Sequence, residues 1–305
     1  MDYSRKGVNS MKRNFLSMKD LEMREIIALF KTARFLKTNP IKSLLTHKNL
    51  ILLFQKPSTR TMVSFEVGMN QLGGHAIYLD WKSVQLGRGE TISDTAKVLS
   101  RYSDGIMARL FSHEDIEELA SSSEVPVING LTDLLHPCQA LSDIFTIHEN
   151  LGHLKEVKLC FIGDGSSNVC HSLMHACDKM GMLMSIACPG KYKPDHKITI
   201  DTEDSVVIHE KPEHALKDAD VVYTDTFVSM GQEKLKGLKQ RVLRPYRLDN
   251  EKLRLAKSKA LVMHCLPAHR GQEITSEVLD GPRSVVWEQA ENRLHVQKAL
   301  LSMLL

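Results

Sequence analysis

Short apolar runs alternate with segments of helical periodicity along this 305-residue chain, and that alternation most constrains its fold. In the first half, the runs predict strands at 50–54, 75–79, 105–109 and 125–129. In the second half, they predict strands at 157–162, 183–188, 205–209, 220–224 and 260–264. Strands separated by helices pair in parallel, because each helix carries the chain back across the sheet. The expected fold class is α/β, with doubly wound parallel sheets covered on both faces.

Two series of strands predict two domains, which the chain is long enough to support. We place the first domain at 1–140 and the second at 150–288, joined through the segment 135–152. A helix at 290–305 is expected to pack back on the first domain, after a final strand at 285–287. Near the start, Ser17 and Asp20 have capping-box spacing and predict a helix over 17–36.

Composition excludes several classes of protein. Net charge is only +3 with mixed signs, which argues against nucleic acid or a membrane surface as the main partner. No apolar stretch approaches the roughly 18–20 residues that span a bilayer, and the basic N-terminus lacks the apolar core of a secretory signal. The six cysteines are scattered without a CxxC pair, as in a protein with reduced thiols. We therefore expect a cytoplasmic location, without disulfides or a zinc site.

Polar or reactive side chains follow the predicted ends of several strands. In open α/β sheets, ligands bind outside the carboxyl ends of strands, so these side chains are candidates for one interdomain site. Those that follow strand ends are Ser58, Thr59, Arg60, Arg109, Asp164, Asn168, Asp225 and Cys265.

The segment 58–61 reads Ser-Thr-Arg-Thr between a predicted strand and a helix. A helix N-terminus offers free N–H groups and the positive end of its dipole, and Arg60 adds bidentate donors that suit a phosphate. An ordinary Ser or Thr helix cap would produce the same local pattern.

The other segments also have two interpretations each. His136-Pro137-Cys138-Gln139 suits a carbonyl or amide ligand, or is simply a helix start with Pro in its first turn. Gly163–Asn168 lacks the third glycine of a dinucleotide-binding loop, which disfavours a nicotinamide dehydrogenase.

Asp225 could hold an ammonium group or form a turn. Cys265 could be reactive or a buried apolar residue, and its neighbour His264 points to the other side of the strand. Arg293, in the first turns of the last helix, is of a type most often found on the surface.

Taken together and in order, these segments resemble the aspartate/ornithine carbamoyltransferase family, and its ornithine-specific branch most closely. The motifs that carry the resemblance cover nearly the whole chain. They are FQKPSTRTMVSFE (54–66), LGRGETISDTAKVLSRYSDGIMAR (86–109), LTDLLHPCQALSD (131–143), DTFVSMGQE (225–233), MHCLPAHRG (263–271) and EQAENRLHVQKALL (288–301).

The resemblance implies a role for each matching position. For carbamoyl phosphate, the residues implied are Ser58, Thr59, Arg60, Thr61, Gln85, Arg109, His136, Gln139, Cys265, Leu266 and Arg293. Among these, it implies catalytic roles for Arg60, Arg109, His136 and Cys265. For ornithine, the residues implied are Asn168, Asp225, Ser229 and Met230. Gln85 matches a position that the family extends into a neighbouring subunit, so a homotrimer, or an assembly of trimers, is implied.

The implied reaction is attack by the neutral δ-amine of ornithine on carbamoyl phosphate, and it uses no metal and no other cofactor. Three positions depart from the family pattern, since Met62 replaces a usual Arg, Ser167 a usual Asn and Phe227 a frequent Trp. A related enzyme for another amine, such as putrescine, and a silent carbamoyl-phosphate-binding homologue remain alternatives. Asp225 and the Ser-Met-Gly segment argue against putrescine, which has no α-ammonium or α-carboxylate to recognise.

Overall fold

Two parallel sheets form the framework of the computed structural model, which describes residues 12–39, 41–228 and 236–305. The first sheet has the order β2-β1-β3-β4, and every pairing in it is parallel. Its strands are β1 (Asn49–Phe54), β2 (His75–Asp80), β3 (Gly105–Arg109) and β4 (Val127–Leu131). All residues of β3 are buried, as expected of a central strand covered on both faces. Of the two edge strands, β4 is also buried and Phe15 bridges to its Ile128, whereas β2 is largely exposed.

The second sheet has the order β7-β6-β5-β8-β9 and is also parallel throughout. Its strands are β5 (Lys158–Ile162), β6 (Leu183–Ala187), β7 (Val206–His209), β8 (Val221–Thr224) and β9 (Leu261–His264). Each strand predicted between residues 50 and 264 has its counterpart in one of the two sheets. The expected α/β class with two doubly wound parallel sheets is therefore confirmed.

Helices cover the sheets and connect their strands. In the first half they are α1 (Met23–Thr38), α2 (Thr59–Gln71), α3 (Ile92–Tyr102), α4 (His113–Ser122) and α5 (Pro137–Leu151). In the second half they are α6 (Asn168–Met180), α7 (His196–Asp201), α8 (Pro212–Leu216), α9 (Lys236–Leu243), α10 (Asn250–Leu253), α11 (Ser276–Leu279) and α12 (Val286–Leu304). Among the described residues, no helix combines the length and the apolar character that crossing a bilayer requires.

Two sequence predictions of local structure are wrong. The helix predicted over 17–36 is two pieces, because the Ser17–Asp20 capping box closes a short 3-10 helix and α1 begins afterwards with its own box, formed by Glu22 and Glu25. The strand predicted at 285–287 is absent, since only Ser284 bridges to β9 and the chain then enters α12. Val286 faces the buried core as the first residue of that helix.

Helices α5 and α12 link the two halves of the molecule. The α5 helix starts beyond β4 and is buried along most of its length, and α12 packs against α1, α2 and α5. One continuous apolar core includes Phe54 of the first sheet, Phe145 of α5 and Phe161 of the second sheet. The carboxyl ends of both sheets are therefore held in one packed body.

Candidate active site

A cavity of about 550 Å³ lies where segments that follow the carboxyl ends of β1, β3, β4, β5, β8 and β9 meet. Most of the residues chosen from the sequence line it. They are Ser58, Thr59, Arg60, Arg109, His136, Gln139, Asn168, Asp225, Cys265, Leu266 and Arg293. Each of these strand ends and helix starts has two interpretations when it is considered alone. The structure brings their side chains together around one cavity.

Thr61 and Gln85, which were also predicted for this site, do not line the cavity. Thr61 is fully buried beside it, where its Oγ1 accepts a 2.9 Å hydrogen bond from Nη2 of Arg293. Gln85 is exposed in a short 3-10 helix outside the cavity lining. Ser229 and Met230 lie outside the described residues.

The Ser-Thr-Arg-Thr segment is a helix N-terminus, as both of its interpretations require. Ser58 caps α2, and its Oγ accepts a hydrogen bond from the backbone N–H of Thr61 at 3.3 Å. The cap leaves Thr59 and Arg60 in the first turn, facing the cavity with free N–H groups at the positive end of the helix dipole. Met62, where the family usually has Arg, packs partly buried against the apolar core.

The first-domain side of the cavity, with Arg293 of α12, carries the positive charges of Arg60, Arg109 and Arg293. Among the described residues, the Nε atoms of Arg60, Arg109 and Arg293 and the Nδ1 atom of His136 are buried without a hydrogen-bond partner. Burial, followed by the charges of Arg293 and Arg60, lowers the pKa of Arg109 to about 9, so it is cationic at neutral pH. The same factors, burial first, hold the pKa of His136 well below its ordinary value, and its imidazole is neutral. Such a site is preorganised for an anion.

The second-domain side pairs its polar groups with one another. Sγ of Cys265 donates a hydrogen bond to Oδ1 of Asp225 at 3.0 Å, and the backbone N–H of Thr226 donates to the same oxygen at 2.7 Å. Burial, followed by the neighbouring Asp225 carboxylate, raises the pKa of the Cys265 thiol well above its ordinary value. The thiol is therefore a neutral hydrogen-bond donor here, and it lacks the lowered pKa of an activated nucleophile.

His264 has both ring nitrogens engaged and does not act on Cys265. Its Nδ1 accepts from the backbone N–H of Leu266 at 2.8 Å, and its Nε2 lies 3.1 Å from Oε1 of the fully buried Glu273. Ligand atoms of Asp225, His264 and Cys265 lie within 4.8 Å of one another. A metal ion would have to replace these hydrogen bonds, so the metal-free site remains our prediction.

The glycine loop after β5 serves packing. A Cβ atom at Gly165 would lie 2.8 Å from the carbonyl oxygen of Tyr192 and 2.9 Å from Sγ of Cys188, so this glycine is needed for close approach to protein. Ser167, which stands where the family usually has Asn, caps α6 by accepting from the N–H of Cys170 at 3.2 Å. Nδ2 of Asn168 donates to the carbonyl oxygen of Thr132 at 2.5 Å, which ties the two halves together beside the cavity.

Several residues of this region were not identified from the sequence. Lys56, Gln240, His269 and Gln272 line the cavity. Lys56 stands inside the motif that begins at Phe54, which is the one signal that would have found it. Buried Lys239 forms an ion pair with Asp164, a contact between α9 and the loop after β5 that no local pattern reveals.

Comparison with known proteins matches both halves of the chain. Residues 13–149 match the carbamoyl-P binding domain of aspartate/ornithine carbamoyltransferases, and residues 155–304 match the Asp/Orn binding domain. The ornithine carbamoyltransferase of Staphylothermus marinus is 51% identical over 98% of this chain and 99% of its own length. That of Bacillus cereus is 51% identical over 95% and 93%.

Solved structures match as well. The chain superimposes on ornithine carbamoyltransferase from Pyrococcus furiosus with a TM-score of 0.90 and 49% identity, covering 96% of each chain. With the Thermus thermophilus enzyme the TM-score is 0.89 and the identity 39%, covering 96% of this chain and 98% of the other. The chain therefore belongs to the aspartate/ornithine carbamoyltransferase family.

Proposed function

We propose that this chain transfers the carbamoyl group of carbamoyl phosphate to the δ-amine of L-ornithine, giving L-citrulline and phosphate. The observation that carries the proposal is one cavity with two unlike sides. One side holds Arg60, Arg109 and Arg293, whose buried Nε atoms have no hydrogen-bond partner among the described residues, and the other holds the Asp225 carboxylate. The similar enzymes from Staphylothermus marinus and Bacillus cereus, both named ornithine carbamoyltransferase, support this assignment.

The donor substrate would bind at the positive side. The α2 N-terminus and Arg60 would take the phosphate, with Arg293 close behind through its bond to Thr61. Arg109 and neutral His136 would hold the carbonyl oxygen, where negative charge develops as the amine attacks. Gln139 would take the carbamoyl amide. The backbone N–H of His136 donates to Oγ of Ser172 at 2.7 Å, so the second domain holds the start of α5 in place.

The acceptor would bind at the other side, through Asn168, Asp225, Ser229 and Met230. The δ-amine resembles a lysine amine with a reference pKa of about 10.4, so keeping it neutral at pH 7 costs about 4.6 kcal/mol. A carboxylate beside it would oppose deprotonation. Asp225 therefore suits the α-ammonium instead, and removal of water from the closed cavity favours the neutral δ-amine.

The experiment that tests the function compares acceptors. Purified protein is given carbamoyl phosphate with ornithine, putrescine, aspartate or N-acetylornithine, and the carbamoylated product and released phosphate are measured. We expect citrulline from ornithine and little product from the others. Product from putrescine alone would establish the other amine acceptor, and no product with any of the four would establish a silent homologue.

We further propose that the chain works as a homotrimer, or an assembly of trimers, with Gln85 entering a neighbouring site. In support, Gln85 is exposed outside its own cavity, and apolar side chains of α2 and β2 nearby in the chain are exposed, namely Val63, Val67, Ile77 and Tyr78. Light scattering should give three times the chain mass, or a multiple of it. Mixing inactive Arg60→Met and Gln85→Ala chains should restore some activity, because some mixed sites then receive neither change.

A further inference from the structure

A buried carboxylate, Asp143, lies one helical turn beyond Gln139 on α5, below the cavity and outside its lining. Its Oδ1 accepts hydrogen bonds from Nε2 of Gln139 at 2.8 Å and from Nε2 of Gln289 at 2.7 Å. Its Oδ2 accepts one from the hydroxyl of Tyr223 at 2.9 Å. One fully buried side chain thus joins α5, β8 and α12 directly beneath a residue of the site.

The orientation of the Gln289 amide in this cluster follows from one backbone group. The N–H of His264 can only donate, and it donates to Oε1 of Gln289 at 2.9 Å. Gln289 must therefore turn its Nε2 toward Asp143. Oδ1 therefore accepts from Gln289, and as a carboxylate oxygen it has no hydrogen to donate to Gln139. Gln139 can satisfy Oδ1 only with its own Nε2, which leaves its Oε1 as the free end.

Gln139, whose Oε1 is this free end, lines the cavity. Oε1 of Gln139 is buried and has no hydrogen-bond partner among the described residues. A buried carbonyl-type oxygen without a donor is costly, so a ligand that brings an N–H group gains from meeting it.

We propose that Asp143 is a positioning residue that fixes the amide of Gln139 with its oxygen toward the donor substrate, so that the site accepts an NH₂ group there. The inference rests on the proposed function, in which Gln139 meets the carbamoyl amide. It adds the residue that determines the orientation of the Gln139 amide. It also adds the hydrogen bonds that connect the His264 backbone, through Gln289, to that residue.

The charge state of Asp143 agrees with this role. Burial raises its pKa to about 6, against the hydrogen bonds from Gln139, Gln289 and Tyr223 and the nearby charge of Arg293. Tyr223, Arg293 and Cys265 are the titratable groups that interact with it among the described residues. In the neutral form the proton sits on Oδ2, toward the Tyr223 hydroxyl, because Oδ1 already receives two N–H groups. The orientation of Gln139 is thus kept on both sides of this pKa.

The test uses two non-reacting ligands and the full-length protein. Phosphonoacetamide carries both an amide and a phosphonate, whereas inorganic phosphate probes only the anion site. Isothermal titration gives both dissociation constants for the wild type and for the Asp143→Leu, Asp143→Ala, Asp143→Asn and Tyr223→Phe variants. The Ala variant serves if the larger Leu prevents folding.

We expect Asp143→Leu and Asp143→Ala to weaken phosphonoacetamide by about tenfold and to leave phosphate within about twofold, since one oriented acceptor is lost. Asp143→Asn should keep both affinities, because its amide oxygen can replace Oδ1. Tyr223→Phe is the matched control, since this hydroxyl donates to Oδ2 and accepts from Nε2 of Gln289 but makes no hydrogen bond to Gln139, and the variant should keep the ratio of the two affinities.

Three outcomes would overturn the proposal: an unchanged ratio in the Leu or Ala variant, an equal loss of both ligands, or a loss in Asp143→Asn as large as in Asp143→Leu. Binding is measured without turnover, so these outcomes are distinct from a failure of the proposed function, which is read from citrulline formation by the wild type.

Discussion

The two sides of the cavity differ in whether their buried polar and charged groups have partners among the described residues. On the first-domain side and α12, burial followed by the charges of Arg293 and Arg60 lowers the pKa of Arg109, and burial together with the charge of Arg60 lowers the pKa of Arg293. The Nε atoms of all three guanidinium groups have no hydrogen-bond partner among the described residues. On the second-domain side, buried groups are matched within the protein, as Lys239 with Asp164 and Cys265 with Asp225.

The difference distinguishes charged groups that stabilise the fold from charged groups that are available to bind a ligand. A matched buried pair lowers the cost of its own desolvation and fixes the elements that carry it. Unmatched buried cations destabilise the empty protein, and a bound anion relieves that cost. Four predictions test this distinction, each through a different group.

The largest effect is expected from breaking the matched pair. Lys239→Met leaves the Asp164 carboxylate buried without its cation, and we expect the free energy of unfolding to fall by about 3–5 kcal/mol. Urea denaturation measures it. The control is Lys257→Met, which removes an exposed partner of Asp220 and should cost less than about 1 kcal/mol. Equal losses in the two variants would contradict the distinction.

On the unmatched side, Arg60→Met should impair catalysis and spare the fold. We expect kcat to fall by about 10²–10³-fold, as when one preorganised donor to a developing charge is removed. The melting temperature should hold or rise, because repulsion with Arg109 and Arg293 is relieved. Arg254→Met, at an exposed position, controls for loss of positive charge. A kcat within a few-fold of wild type would remove Arg60 from the reaction.

Ligand-induced stabilisation should differ between the two sides. Phosphate at about one hundred times its dissociation constant should stabilise the wild type by about 2.7 kcal/mol. Ornithine alone, at the same concentration as phosphate, should stabilise the protein less, because Asp225 already accepts hydrogen bonds from Cys265 and Thr226. Thermal melts with each ligand measure this. The phosphate effect should largely vanish in Arg60→Met, and an equal effect of ornithine alone would refute the comparison.

The smallest effect concerns the Cys265–Asp225 contact. Burial raises the pKa of Asp225, while the hydrogen bond from Cys265 lowers it. Cys265→Ala removes the lowering contribution, so Asp225 takes up its proton at higher pH. The acid limb of the pH dependence of ornithine KM should then move to higher pH.

Cys265→Ser keeps a hydrogen-bond donor to Asp225. The acid limb of the pH dependence of its ornithine KM should therefore stay near that of the wild type. An unmoved limb in Cys265→Ala would mean that this contact does not set the charge of Asp225.

Sequence reasoning succeeded where the controlling interactions are local. The apolar runs of β1 to β9 predicted the strands, and parallel pairing then predicted that Arg60, Arg109, Asp225 and Cys265 would meet at strand ends. It failed at 285–287, where β-branched residues begin a helix. That helix is stabilised by packing against α1, α2 and α5, which are distant in the sequence. The capping box at Ser17 was read correctly as a cap, but the length of the helix after it was not.

The rest could not be read from one sequence because it depends on distant residues. Asp143 meets Tyr223 and Gln289, which lie 80 and 146 positions along the chain. Asp164 and Lys239 are separated by 75 positions. No periodicity carries such pairings, and family resemblance identified the residues of the cavity without the groups that orient them.

The contact between Arg293 and Thr61 joins positions 232 residues apart. During synthesis the chain emerges N-terminus first, and α12 follows long after the first sheet. A nascent chain that has folded only its first domain thus lacks one of the cations of the anion site. The ability to hold the donor substrate would arrive late in translation, when the acceptor side has also been made, so an unfinished chain would not sequester a reactive phosphate.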